Sequence, residues 1–391
     1  MDAKVVERAR QEGFPPPPPR VGCPVVDLHT HLAGPQPPRW ARRLPGVRRL
    51  AHWAGWREDP DRQLLAAAWA YGVRHVVGIG KLQAGRHGRG AEPCVHLAVP
   101  VSWEAWGDPK GFAEENLRLL DEAARAGVRI VKLWMAPRLR DRLPPPPPTV
   151  DAQALDPVFA FVERWEMALL VHVADPDRWF ATRYADSARY GRKEDHHRAL
   201  ERRLARHRSV LFQAAHMGGD PEHLDHLDRL LRDHPNLVLD TAGTRWMVRE
   251  LGRDPTRSRA FFERWHDRIG FGTDQVVVRE PEPHRYALRY WVHRIFWETD
   301  LRLPLPLEDP DAGQPVLQGI ALPPWVLESL YWKTPGGFWL PRPAGRRRVA
   351  GPWEGSPPEG SGCPRIAAQF WFWYHRTRGG AVCSCSGSRW L

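Results

Sequence analysis

The sequence predicts an α/β chain in which eight strands alternate with helices and close into a (β/α)8 barrel of the TIM type, followed by an irregular C-terminal tail. Three observations predict it. Short β-branched or apolar runs recur, each followed by a polar loop and a stretch of helical period, which is how parallel strand–helix alternation reads. Eight such runs can be placed before residue 275. A chain of 391 residues, 42% hydrophobic and 26% charged, also has room for a single barrel of about 250 residues or more.

The elements follow in order. The first twenty residues (MDAKVVERARQEGFPPPPPR) are charged and then proline-rich, without the apolar centre of a signal peptide, and are expected to form an N-terminal extension, 1–20, ahead of a barrel at 21–335. The strand runs are 24–31 (PVVDLHTH), 73–81 (VRHVVGIGK), 95–102 (VHLAVPVS), 128–134 (VRIVKLW), 168–174 (ALLVHVA), 210–216 (VLFQAAH), 237–241 (LVLDT) and 269–274 (IGFGTD). Helices are predicted between them at 110–126, 156–166, 194–207, 221–233 and 255–266, several opened by Asp or Pro. Further helices at 283–299 and 323–331 would complete the barrel wall. Two five-proline runs, at 15–19 and 144–148, fit neither a helix interior nor a central strand and read as stiff extended spacers. From about Lys333 the apolar period fails. The segment 336–391, rich in Pro, Gly, Arg and aromatics (FWFWYHR at 370–376), is expected to be disordered or loosely packed, as an unusual extension or a frame change would be.

Composition narrows the partners. Of the formal charge of +11, residues 333–391 carry a net +7, so the remaining +4 on residues 1–332 gives no reason to expect nucleic acid. No apolar run approaches the roughly 20 residues of a membrane span. Five scattered cysteines (Cys23, Cys94, Cys363, Cys383, Cys385) do not make a disulfide framework, and Cys383-x-Cys385 lacks the second pair of a zinc module. The expectation is a cytoplasmic protein with a small-molecule substrate; a homo-oligomer is left open.

The chemistry sits at strand ends. His29 and His31 lie two apart at the end of the first run, so strand alternation points both to one side. His172 ends the fifth run, His216 the sixth and Asp274 the eighth, and the C-terminal mouth of a barrel would gather all five. Neutral imidazoles with one carboxylate suit Zn²⁺ or another borderline divalent ion, and an open coordination position would make such a site catalytic.

The order HTH on the first strand, His on the fifth, His on the sixth and Asp on the eighth resembles the amidohydrolase superfamily. The likeness is to its amidohydrolase-related branch of hydrolases and metal-dependent decarboxylases, and it covers residues 21–332, including the closing pattern GIALPPWVLESLYWK. The resemblance implies one divalent ion held by His29, His31, His172 and Asp274, with Asp274 also the proton acceptor and His216 acting near the bound water or substrate, or ligating a second ion. It also raises Lys132 (VKLW), which two-metal members carboxylate to bridge a second ion; an unmodified lysine in a one-metal site is the preferred reading. Arg138, Trp179, Arg183 and Arg245, with Trp246, are expected on loops over the mouth and are candidates for substrate contact. His196, His197, His223, His226 and His234 read as surface residues on helices away from the mouth. The predicted function is hydrolysis of an amide, ester or lactone through a metal-activated water. Decarboxylation of a small aromatic or unsaturated acid is the nearest alternative, and a non-catalytic barrel with a partner-binding tail is a rival of another class.

Overall fold

Short runs rich in Val, Ile and Leu form the central strands of the sheet. The computed structural model describes residues 3–34, 59–80, 92–143, 148–278, 280–313 and 315–339. Its sheet comprises β1 (Val25–His31), β2 (Val73–Ile79), β3 (Cys94–Pro100), β4 (Ile130–Trp134), β5 (Ala168–His172), β6 (Phe212–Ala214), β7 (Leu237–Asp240), β8 (Ile269–Gly270) and β9 (Gln275–Val276). All neighbours pair in parallel, in the order β8-β7-β6-β5-β4-β3-β2-β1-β9.

The eighth predicted strand is therefore two segments with different duties. β8 bonds to β7, whereas β9, five residues on, bonds to β1 and closes the ring. Across the break the backbone stays attached to β1: Leu28 N donates to Phe271 O at 2.9 Å and Asp274 N donates to His29 O at 2.8 Å. Asp274 itself adopts φ 55°, the left-handed region that non-glycine residues rarely enter and that is costly unless the surroundings hold it.

Among the described residues are thirteen helices, all but the two at 177–181 and 187–190 burying side chains. They are α1 (Ala3–Gln11), α2 (Arg62–Ala70), α3 (Pro109–Arg125), α4 (Asp156–Arg164), α5 (Asp177–Ala181), α6 (Ser187–Tyr190), α7 (Lys193–Arg206), α8 (Leu224–Asp233), α9 (Thr244–Leu251), α10 (Pro255–Arg264), α11 (Arg285–Glu298), α12 (Pro324–Glu328) and α13 (Thr334–Trp339). Asp108 and Asp254 cap α3 and α10 by accepting from Lys110 N and Arg257 N, each followed by proline in the first turn, as the sequence foretold. Along α8, Leu224, Leu227, Leu230 and Leu231 form the buried stripe at helical spacing.

Two expectations are corrected. His196 and His197 are not surface residues; each is 4% exposed, because the inward stripe of α7 runs through Lys193, His196, His197, Leu200 and Leu204. Their polar rings hid the stripe from a hydrophobic pattern, and burial is tolerable because His196 Nε2 meets Tyr190 O at 2.8 Å and His197 Nε2 meets Gly218 O at 3.0 Å. Secondly, helical structure does not fail at Lys333. A π-helical turn at Ser329–Lys333 runs into α13, where Pro335 falls in the first turn and Thr334 Oγ1 donates to His266 O at 2.8 Å. The N-terminal extension carries a helix, α1, with Val6 and Ala9 buried. Phe14 then packs edge-on to Trp291 of α11 at 5.7 Å, and Tyr71 OH donates to Phe14 O at 2.6 Å. A two-stranded antiparallel pair, β10 (Arg302–Pro304) with β11 (Val316–Gln318), was not foreseen. Residues 340–391, including the aromatic cluster and Cys383-x-Cys385, and 144–147 of the second proline run lie outside the described residues. Among the described residues no helix is long and apolar enough to cross a membrane.

Candidate metal centre

The bend that aims the histidines is built into β1. Asp27 pairs with Val76 and Thr30 with Gly78, so three steps on β1 oppose two on β2, the signature of a β-bulge. Asp27 is thereby turned to the α11 side, where its fully buried carboxylate accepts from Tyr290 OH at 2.9 Å and from Thr273 Oγ1 at 2.7 Å and N at 3.1 Å. It also accepts from His29 N at 3.2 Å, which ties the bulge to the start of the eighth-strand break.

His29 and His31 then converge on Asp274. His29 Nε2 lies 3.4 Å and His31 Nε2 3.1 Å from Asp274 Oδ1. One donor atom from each of the three residues falls within 4.8 Å of the others. His29 is wholly buried and its Nδ1 lies 3.0 Å from Asp240 Oδ2. With a proton on Nδ1 for Asp240, the lone pair is left on Nε2, facing Asp274; this carboxylate–histidine pairing is how a metal ligand is fixed in tautomer and direction. The donor set fits a borderline divalent cation. Burial alone would raise the Asp274 carboxyl, but the hydrogen bond to His31 and the nearby His216 and His29 hold it well below the usual carboxylate range. It therefore remains an anionic ligand at any pH at which the imidazoles are neutral.

Asp240, at the end of β7, is the hub that the sequence reading missed. Fully buried, it accepts from His29 Nδ1, from Gln213 Nε2, from His216 N at 2.8 Å and from Ala242 N at 3.0 Å. Burial opposes its charge, yet His29 and His216 keep the carboxyl ionised far below its ordinary value. Its one sequence signal is an acidic residue closing an otherwise apolar strand, LVLD.

His172 and His216 occupy the opposite side of the cluster. Their rings meet edge to face at 4.5 Å, and His216 stacks on His29 at 5.0 Å. Of the four residues expected to ligate, the structure gathers His29, His31 and Asp274 into one donor group, while His172 stands beside His216 with Nε2 directed to Asp175 Oδ1 at 3.0 Å. Asp175 is held in turn by Tyr184 OH at 2.8 Å. His216 has φ 60°, and its buried Nδ1 has no hydrogen-bond partner. Gly243, at φ +90°, lets the chain pass this ring, since a Cβ there would lie 3.3 Å from His216 Nδ1. Burial first, and then the neighbouring His172, pushes the His216 imidazole down to about 3, so it is neutral near pH 7. Lys132 is 3% exposed, with Nζ 3.3 Å from His29 Nε2, and burial lowers its ammonium to about 8.

The softer candidates separate. Trp246, on α9 and not in a loop, packs edge-on over His216 at 5.2 Å, and Trp179 of α5 packs on Trp246 at 5.0 Å. Trp179 Nε1 donates to Asp311 at 2.7 Å, and Arg183 lies over the Trp179 ring at 4.1 Å with Nη2 3.4 Å from Asp311. Arg183 is thus occupied by a structural partner. Arg138, on the 3₁₀ turn Pro137–Asp141, is exposed, with its charge felt by Tyr184. Arg245 opens α9 with its Nε buried and unpartnered.

A family model described as amidohydrolase matches residues 100–336. No curated protein matches the sequence. Among solved structures, an uncharacterised TIM-barrel protein from Bordetella bronchiseptica is 16% identical with a TM-score of 0.42, covering 81% of this chain and 98% of its own. A protein described as a putative 2-pyrone-4,6-dicarboxylic acid hydrolase from Pseudomonas putida is 13% identical with a TM-score of 0.43 and the same two coverages, 81% and 98%. The 5-carboxyvanillate decarboxylase of Sphingomonas paucimobilis is 14% identical with a TM-score of 0.38, covering 68% of this chain and 92% of its own. With the family model spanning more than half of its length, the chain belongs to the amidohydrolase family.

Proposed function

We propose that this chain is a metal-dependent hydrolase that cleaves a C–N or C–O bond of a small organic substrate. The observation that carries the reading is the convergence of His29 Nε2, His31 Nε2 and Asp274 Oδ1, with the other nitrogen of His29 fixed by Asp240. These three residues would hold one divalent ion, Zn²⁺ being the best match to the donors, and His172 offers the ring nitrogen that Asp175 does not engage. When bound, the ion supplies Lewis acidity that activates water or polarises a carbonyl.

The chain's own residues do the rest. Asp274 is 32% exposed, so its carboxylate can exchange a proton with a substrate in the mouth while the backbone break holds it in place. His216, held neutral, is suited to a hydrogen bond with a substrate oxygen and not to service as a cationic acid. Trp246 and Trp179 form an apolar wall beside it. Decarboxylation is the second reading, favoured by Arg245, whose buried Nε has no hydrogen-bond partner and whose guanidinium suits a carboxylate substrate.

Elemental analysis of purified protein tests the reading, with variants His29→Ala and Lys132→Ala. One equivalent of metal that survives Lys132→Ala and is lost in His29→Ala is expected; no metal uptake under any reconstitution would overturn it. Screening lactones, amides and aromatic acids on the loaded protein, with carbon dioxide release followed in parallel, separates hydrolysis from decarboxylation.

A further inference from the structure

The turn that carries His216 is strained and is gripped from outside the barrel. His216, Met217, Gly218 and Gly219 all take positive φ, at 60°, 53°, 68° and 72°. Residues with a Cβ enter this left-handed region only where the surroundings impose it. Gly219 passes back to back with the segment after β5: a Cβ on it would lie 2.0 Å from Ala174 O and 2.9 Å from Asp175 N. The turn at His216 and the segment just after His172 are therefore in direct contact, and in a close-packed interior a shift in one displaces the other.

Helix α7 holds both segments. Lys193, its first residue, is buried, and its Nζ lies 2.7 Å from Asp177 Oδ1, 2.7 Å from Asp220 Oδ1 and 3.0 Å from Glu222 Oε1. Asp177 opens α5, straight after the segment that follows His172, whereas Asp220 and Glu222 follow the strained turn. One turn further along α7, His197 Nε2 meets Gly218 O at 3.0 Å. Asp177, Asp220, Glu222 and His223 bring donor atoms within 4.8 Å of one another, as the ligands of a cation would. The cation between the three carboxylates is the Lys193 ammonium. A buried ion cluster of this kind adds little net stability, since desolvation offsets its attraction, and what it supplies is a fixed arrangement of its members.

We propose that Lys193 is a positioning residue: by drawing Asp177, Asp220 and Glu222 together it locks the turn at His216 against the segment after β5 and thereby fixes His172 and His216 relative to one another. The inner end of the same turn is held by Asp240, which accepts from His216 N at 2.8 Å. His216 is thus clamped between Asp240 inside the barrel and Lys193 outside it. Lys193 acts through these segments and not on substrate. The inference deepens the proposed function and rests on its reading that His216 hydrogen-bonds a substrate oxygen.

The test compares Lys193→Met with Arg294→Met. Both side chains are 8% exposed, and the second variant deletes an ion pair on α11 whose partner, Glu298, belongs to neither segment. The full chain, stripped of metal and labelled with carbon-13 at histidine Cε1, is read by NMR, with the two signals of interest assigned from His172→Gln and His216→Gln. We expect both signals to move or broaden in Lys193→Met and to keep their wild-type positions in Arg294→Met. Where circular dichroism shows that Lys193→Met does not fold, Lys193→Met/Glu222→Gln, which keeps the net charge, takes its place. With zinc restored, kcat and kcat/KM on a substrate found by screening should fall together by about 100-fold, the order of cost of a misplacement of about 1 Å. Wild-type positions of both signals in a folded Lys193 variant would overturn the proposal, and so would equal displacement in Arg294→Met, which would mark general loosening. The NMR readout needs neither metal nor turnover, so failure of the proposed function would appear separately, as a wild-type chain that takes up no zinc.

Discussion

Replacing Asp240 by asparagine changes one oxygen to an amide nitrogen, yet it should reverse the chemistry of His29. The carboxylate accepts four hydrogen bonds, and two of them, from His216 N and Ala242 N, fall on Oδ1. The asparagine carbonyl can keep that pair, which places its amide against His29 Nδ1 and Gln213 Nε2. Gln213 can turn over, because its Oε1 is buried without a partner in the native arrangement and would accept from the new amide. His29 can respond by moving its proton from Nδ1 to Nε2, the atom that faces Asp274. A protonated Nε2 cannot ligate. The fold should thus lose only about 1–3 kcal/mol, the cost of weakening charge-assisted bonds in a buried site. Metal affinity should fall about 10–100-fold, which is about 1.4–2.8 kcal/mol. Competition for zinc against a chromogenic chelator measures the second quantity, and urea unfolding of the metal-free protein measures the first. Asp240→Asn protein that holds zinc as tightly as wild type would refute the tautomer argument, whatever its stability.

Other outcomes follow from the same contacts. Asp27→Ala orphans buried donors on Thr273, Tyr290 and the His29 backbone and should cost on the order of 3–5 kcal/mol in urea unfolding, whereas Tyr290→Phe removes only one of those bonds and should cost about 1 kcal/mol. Stability should fall as pH drops from about 6.5. Burial lowers His196 and His197 to about 4 and His293 to about 3 from 6.5, so between those values the unfolded chain takes up protons that the folded chain refuses. Each contributes a loss of up to about 1.4 kcal/mol per pH unit. Asp27, raised by burial to about 7, works in the opposite sense and offsets roughly one of them. Unfolding free energies measured at pH 7, 6 and 5 should decline, and a flat profile would contradict the burial of neutral imidazoles. Gly243→Ala forces a side chain into a backbone at φ +90° and against His216, so it should lower activity more than stability, measured as turnover against melting temperature.

How far the sequence could be read depended on whether a residue's role was local. β1 to β7 and the long helices α3, α4, α7, α8, α10 and α11 follow from apolar period and caps, within a few residues of the predicted ends. The eighth strand does not, because its division into β8 and β9 is a consequence of closure between β7 and β1, and no run of letters encodes both neighbours. His29, His31 and Asp274 were legible because strand ends converge in a barrel. Asp240 was not, since its meaning lies in a partner 211 residues away. Asp175 was within reach, three residues after His172 in HVAD, where a strand end turns back on itself. His196 and His197 were misjudged by the hydrophobic pattern because the inward face of α7 is satisfied by hydrogen bonds and by the Asp177, Asp220 and Glu222 carboxylates around Lys193.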